Sequence, residues 1–245
     1  MAEEHITISD TFIQSFLKPL SVIFDKGALK IENGNLLFSA FNGNDSIGFR
    51  YKMEIDSNVD DRTICVGNLS KFKNLLEKAT DLEENDKLII SNNCLKYSSS
   101  KWRFKHFLLD ESLATVRNFN ENIIKDYDEK VSFLLNPEAI LDVFQLKAFH
   151  TSDVDKVYIK NVDGKLFAFV TDYQKTNTDD MGVLLTEKFE WDNTVDRILI
   201  PFEMFKVLKN HKKVPFKLKS DGNSVLARTI DDGVDIVYIV SQLVK

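Results

Sequence analysis

The sequence predicts an α+β protein made of two like units, each with two helices packed on antiparallel sheets. Three observations lead there. Landmarks between Ile13 and Leu95 recur in the same order between Leu141 and Leu226, about 130 positions further on. Within each segment, strand-length apolar runs alternate with two stretches of helical period. Turn pairs separate those runs at matching points: Asn33-Gly34 matches Asp163-Gly164, Asx-Gly pairs that tolerate the positive φ of tight turns, and a further turn after each second helix falls at Asn92-Asn93 and Asp221-Gly222. The units are expected at residues 1–109 and 130–245, joined by a linker at 110–129.

The first unit opens with His5 to Ser9, which alternates like a short strand. Ser9 or Asp10 can cap a helix with Ile13 and Phe16 on its apolar face, ending at about Lys18 where Pro19 stops it. Strands are expected at Val22 to Phe24, Ala28 to Glu32, Asn35 to Phe41 and Ile47 to Ile55. Thr63 to Val66 then leads into a helix from about Leu69 to Ala79, and Leu88 to Ser91, Cys94 to Ser98 and Trp102 to Leu108 close the unit as a meander. The second unit repeats the plan. Val131 to Leu135 precedes a helix with Pro137 in its first turn, where the missing N–H costs nothing. Leu141 and Phe144 echo Ile13 and Phe16. Strands follow from Lys156, Arg197 to Ile200 enters a helix from Phe202 to about Asn210, and three strands end the chain. The two second helices match closely, Leu69-x-x-Phe72-Lys73-x-Leu75 against Phe202-x-x-Phe205-Lys206-x-Leu208.

A hydrophobic fraction of 43% with nineteen Phe and only four Pro is enough for packed cores with little linker. The apolar runs are strand-length and the first residues are acidic, so neither a membrane span nor a signal peptide is expected. Cys65 and Cys94 have no metal spacing and form no disulfide framework; they read as structural thiols of a cytoplasmic protein, in a host cytoplasm if the chain is viral.

Charge is segregated. The chain carries −6 overall, which argues against a protein that coats nucleic acid with its whole surface. Yet Phe202 to Lys217 holds Lys206, Lys209, Lys212, Lys213 and Lys217 against Glu203 alone, and the matching helix of the first unit holds Lys71, Lys73 and Lys78 against Glu77. Asp172 to Asp196 is strongly acidic, and so is the linker from Asp110 to Glu129. Solvated helix faces commonly carry lysine. Its recurrence at equivalent points of a repeat, against an acidic remainder, favours a dedicated basic surface.

Two copies of strand, helix, sheet, strand, helix, sheet joined by an acidic linker resemble a DNA sliding clamp, most like the T-even bacteriophage type. The matched second helices carry the resemblance, together with the closing Asp235-Ile236-Val237-Tyr238-Ile239-Val240. It implies a clamp fold in which two-domain subunits close into a homotrimeric ring around double-stranded DNA, helices inside and sheets outside. It also implies a polymerase processivity factor with no enzymatic activity and no cofactor of its own. Its partners would be DNA polymerase, an ATP-driven clamp loader and late-transcription factors. A ring that slides needs phosphate attraction that reads no bases, which lysines supply. On that reading Lys18, Lys71, Lys73, Lys78, Lys206, Lys209 and Lys213 face the hole, with Lys147 near them on a helix that otherwise carries Glu138 and Asp142. By the same resemblance, the edge strand around Trp102, Arg103 and Lys105 would pair with a neighbour's strand at about Gly182 to Phe189, whose continuation brings Glu187 and Glu190. A partner-peptide pocket would draw on Phe41, Ile47, Leu113, Val116, Phe119, Val240 and Leu243.

Catalytic motifs are missing: the sequence has no phosphate-binding Gly-Lys-Ser/Thr loop, no Gly-x-Ser-x-Gly and no His-Glu-x-x-His. His150, Asp153 and Asp155 read as a helix exit and turn, not a metal site. Two other functions stay open, a monomeric clamp-like processivity or transcription accessory factor and a structural β-rich repeat protein.

Overall fold

The computed structural model describes residues 3–41, 47–80, 86–113, 122, 124, 127–149, 156–170, 181–211 and 214–241. Two compact units emerge. One comprises Met1–Gly43, Phe49–Phe119 and Ile230–Ile236; the other comprises Asn44–Gly48, Asn120–Thr229 and Val237–Lys245. Among the described residues no helix is long and apolar enough to cross a membrane.

In the first unit, β1 (His5–Thr7) is followed by a π-helical segment, Thr11–Leu17, that continues as α1 (Lys18–Ile23). Ser9 caps it, its hydroxyl accepting from the Phe12 N–H at 3.1 Å. The expected stop at Pro19 and the strand at Val22 to Phe24 are therefore corrected, because the helix runs on to Ile23. The wider π turn, in which the Lys18 N–H donates to the Ile13 carbonyl, precedes Pro19, which occupies a first-turn position of α1. There the proline needs no N–H partner and its fixed φ suits the helix.

Strands β2 (Gly27–Glu32), β3 (Asn35–Phe41), β4 (Ile47–Glu54) and β5 (Arg62–Val66) come next, then α2 (Leu69–Ala79), β6 (Lys87–Ser91), β7 (Cys94–Ser98) and β8 (Arg103–Phe107). They form a run β4-β3-β2-β5 and a sheet β1-β6-β7-β8. Phe12, Phe16, Phe38, Phe49, Tyr51 and Phe72 are almost wholly buried between these sheets and helices. Burying a side chain of this size contributes roughly 1.5–3 kcal/mol, so each of these rings is a substantial part of the unit's core.

The second unit has the same wiring. Here β9 (Val131–Leu135), α3 (Pro137–Ala148), β10 (Lys156–Val162), β11 (Lys165–Val170), β12 (Met181–Thr186) and β14 (Ile198–Pro201) precede α4 (Phe202–Leu208), β15 (Phe216–Ser220), β16 (Ser224–Asp231) and β17 (Val234–Ser241). β10 pairs β11 and β14 as β2 pairs β3 and β5, and β9 pairs β15 as β1 pairs β6. The addition is β13 (Phe189–Trp191), which pairs the free side of β9.

The hairpin turns form as their residues require. Asn33-Gly34 and Asp163-Gly164 take φ of 50° and 72°, and 52° and 79°, the left-handed pairs of tight hairpins. Asn92-Asn93 makes its turn without a positive φ. The helical landmark needs one correction. Leu141 is 47% exposed, and α3 buries Ala139, Ile140, Val143 and Leu146 instead, so Ile13 and Phe16 correspond to Ile140 and Val143. At 100° per residue a one-position slip carries a side chain off the buried stripe. Cys65 and Cys94 are both free and buried.

Candidate nucleic-acid interface

α2 begins at Asn68, which takes a left-handed φ of 48° and accepts the Lys71 N–H on its side chain at 2.9 Å. Its apolar stripe, Leu69, Phe72, Leu76 and Ala79, is buried. Lys71 and Lys78 therefore stand exposed, and with Asn68, Ser70, Asn74 and Leu75 they line a shallow depression of about 350 Å³. Lys73 differs, because its ammonium is paired with Glu77 at 2.9 Å. On α1, Lys18 is exposed and donates to Gln14 Oε1 at 2.8 Å.

The second unit presents its lysines from α3, of 12 residues, and α4, of 7. α4 buries Phe202, Met204, Phe205, Val207 and Leu208, leaving Glu203 and Lys206 outward with Lys209 at the C-cap. α3 exposes Glu138 and half-covers Asp142 and Lys147, so acids and a lysine share its polar face as the sequence indicates. Lys217, the last lysine of the basic stretch, lies on β15, and both Lys217 and Lys219 are paired with Glu129. Burial alone would raise the Glu129 carboxyl, but Lys219, Ser132 and Lys217 outweigh it and hold it below the usual range. Beside it, the Tyr127 hydroxyl donates to the Ser224 carbonyl at 2.7 Å, and burial pushes it up to about 12. Lys213 lies outside the described residues.

β8 and β12 are both sheet edges. Along β8, Arg103, Lys105 and Phe107 face outward, Phe107 being 63% exposed, with Trp102 at 44% just before them. His106 points inward, where its Nε2 bonds the Gly67 carbonyl at 2.8 Å against the Phe72 ring. Burial lowers its pKa, the Gly67 carbonyl opposes this, and Lys71 lowers it further. On β12, Gly182 is required by Phe169, whose ring carbon would lie 2.6 Å from an added Cβ. The expected strand from Gly182 to Phe189 is corrected, since it ends at Thr186. There the Lys188 N–H donates to the Thr186 hydroxyl at 3.1 Å and turns the chain. Glu187, past that end, pairs with Lys165 at 2.6 Å, and Glu190 lies on β13 opposite Ser132, in another sheet.

The pocket residues divide. Ile47 and Val240 are core, at 0% and 1% exposure, and Phe41 ends β3 half-buried. Leu113 is 55% exposed and joins Leu75, Phe107 and Leu109 in a hollow of about 540 Å³, rimmed by Lys26, Lys71 and Lys105. Val116, Phe119 and Leu243 lie outside the described residues, as do His150, Asp153 and Asp155. No signal in the sequence brought Leu75, Leu109 and Leu113 together, because they come from a helix, a strand exit and the linker.

This doubled wiring is that of the sliding clamps. The chain superposes on PCNA of Entamoeba histolytica with a TM-score of 0.77 over 100% of both chains, at 12% identity. Against A. fulgidus PCNA, in a structure with the C-terminal region of FEN-1 bound, the TM-score is 0.75 over 99% of both chains, at 11% identity. The Helicobacter pylori beta clamp gives 0.68 over 97% of this chain and 63% of its own, at 16% identity. No family model matches the sequence, and no curated protein matches it either. The chain has the sliding-clamp fold.

Proposed function

We propose that the chain is a subunit of a homotrimeric ring that encircles duplex DNA and tethers a replicative DNA polymerase, without catalysis of its own. The observation that carries the reading is the repeat: each unit sets two helices together and leaves lysines on them exposed, with Lys71 and Lys78 in one and Lys206 and Lys209 in the other. Phosphates attract such lysines without regard to base sequence, and a closed ring keeps hold by topology, so no single contact has to be strong.

Closure requires unlike edges. β8 offers Arg103 and Lys105, while β12 and its exit offer exposed Leu184 and Glu187. Trp102 and Phe107 are large apolar groups left open on a folded unit, as an unfilled joint requires. Two units per chain make six around the ring as a trimer. A PCNA2–PCNA3 complex from Sulfolobus tokodaii shows chains of similar fold associating with one another.

Partner recruitment through a short peptide belongs to the same reading, in parallel with the FEN-1 segment on A. fulgidus PCNA. Of the described pocket residues, Leu113 is exposed enough to receive one. An ATP-driven loader would open the ring. A T-even phage origin would add late-transcription factors and a host cytoplasm.

Light scattering on the purified chain tests the ring, with a trimer expected. Retention on closed circular DNA with loss from linear DNA, after loading, tests encirclement. A monomer that leaves both DNAs alike would overturn the reading.

A further inference from the structure

In the second unit α3 and α4 meet through Phe144 and Phe202, whose rings lie edge to face with centroids 4.9 Å apart. The lysines cross over this pair of rings. Lys147 of α3 sets its Nζ 4.5 Å from the ring centroid of Phe202 on α4, and Lys209 of α4 sets its Nζ 4.5 Å from that of Phe144 on α3. Both lysines stand at the C-terminal ends of their helices, where unpaired carbonyls favour a cation.

We propose that Phe144 and Phe202 are positioning residues that hold Lys209 and Lys147 ready for the phosphates of duplex DNA. The inference rests on the ring reading and deepens it. An aromatic face attracts an ammonium through its quadrupole but brings neither a counter-charge nor a strong hydrogen-bond acceptor. The ammonium keeps its full charge and its N–H donors for a phosphate. A carboxylate does the opposite, and Lys73 paired to Glu77 is the contrast within the same chain. Holding the long stems beforehand also removes rotamer freedom that would otherwise be lost on binding. The arrangement thus keeps two lysines ordered, with no ion pair to either among the described residues, on the helix pair that also carries Glu138 and Asp142.

The test uses the intact chain and three variants, Phe144→Leu, Phe144→Tyr and Lys209→Gln. Lysine ε-methylene proton shifts come first, since a ring face moves such protons upfield. Phe144→Leu should return the Lys209 signal toward its ordinary position, while Phe144→Tyr should leave it shifted. Binding to a short linear duplex over a range of salt comes second. Phe144→Leu should weaken affinity about three-fold at fixed salt with the salt slope unchanged, Phe144→Tyr should match the wild type, and Lys209→Gln should flatten the slope. An unshifted Lys209 signal in the wild type overturns the arrangement. A shift that Phe144→Leu abolishes while affinity stays at wild-type level overturns the positioning role and leaves the ring reading standing. A loaded wild-type chain that closed circular DNA fails to retain overturns the ring reading itself, and this inference with it. If Phe144→Leu melts early, Phe202→Leu read at Lys147 gives the same comparison.

Discussion

Lys73 Nζ lies 2.9 Å from Glu77 Oε2, one turn along α2, with the Lys73 side chain largely covered, at 15% exposure. A lysine so paired brings little net charge to a phosphate. Lys73→Gln should therefore leave the salt dependence of DNA association almost unchanged, whereas Lys206→Gln should flatten it by about 0.9 for each phosphate the chain no longer neutralises. Binding isotherms at a series of salt concentrations read the difference, and equal slopes for the two variants would refute it.

Arg103 and Lys105 are the cations of the β8 edge. On the ring reading, changing both to Glu should yield monomers in place of the expected trimer in light scattering, since like charges would then meet Glu187 across the proposed joint. The far-ultraviolet circular dichroism should not change, because both side chains point to solvent. Intact oligomer mass would count against this edge.

Gly27 opens β2, and an added Cβ would lie 2.5 Å from the Phe38 ring. Phe38 is 1% exposed and packed against Phe24 and Tyr51, so the ring has nowhere to retreat. Gly27→Ala should cost about 1–3 kcal/mol in urea unfolding, and a loss below about half a kcal/mol in such a titration, the usual scatter of surface changes, would mean that the ring moves freely.

Tyr127 titrates at about 12 in the folded chain against 10.0 ordinarily, because burial disfavours its phenolate. The folded state then binds more protons than the unfolded state between those values, so stability is complete below pH 10 and falls as pH rises toward 12. Thermal melts should show that alkaline decline more steeply in the wild type than in Tyr127→Phe. At neutral pH the same variant should be less stable by about 1 kcal/mol, for the hydrogen bond to Ser224. Parallel alkaline profiles would show that Tyr127 does not carry the effect.

Most of the fold was legible because its signals are local. Asx-Gly turns, the Pro137 start and the stripe of α2 each depend on residues close in sequence, and each stands where expected. The failures are tertiary. Pro19 reads as a stop, yet a π turn ahead of it lets the helix continue. Leu141 looks like the partner of Ile13 by order alone, whereas the packed face of α3 selects Ile140. Glu187 and Glu190 look continuous, but the Thr186 turn sends them to different sheets. The lysines of the candidate site were readable as types on helices. Which of them are neutralised and which rest on rings was not, since Phe144 and Lys209 are brought together only by the meeting of two helices.

The two edges, β8 and β12, are unlike, and a chain that joined its neighbours through both would be a directional link. On the ring reading, a subunit spoiled only at β8 still joins a neighbour through β12 and then offers a dead end. Mixed with intact chains it becomes a terminator, leaving arcs that never shut. Each such chain costs a whole three-chain ring, so rings are lost about three times as fast as spoiled chains are added, and an edge substitution should act dominantly where a lysine substitution would only dilute.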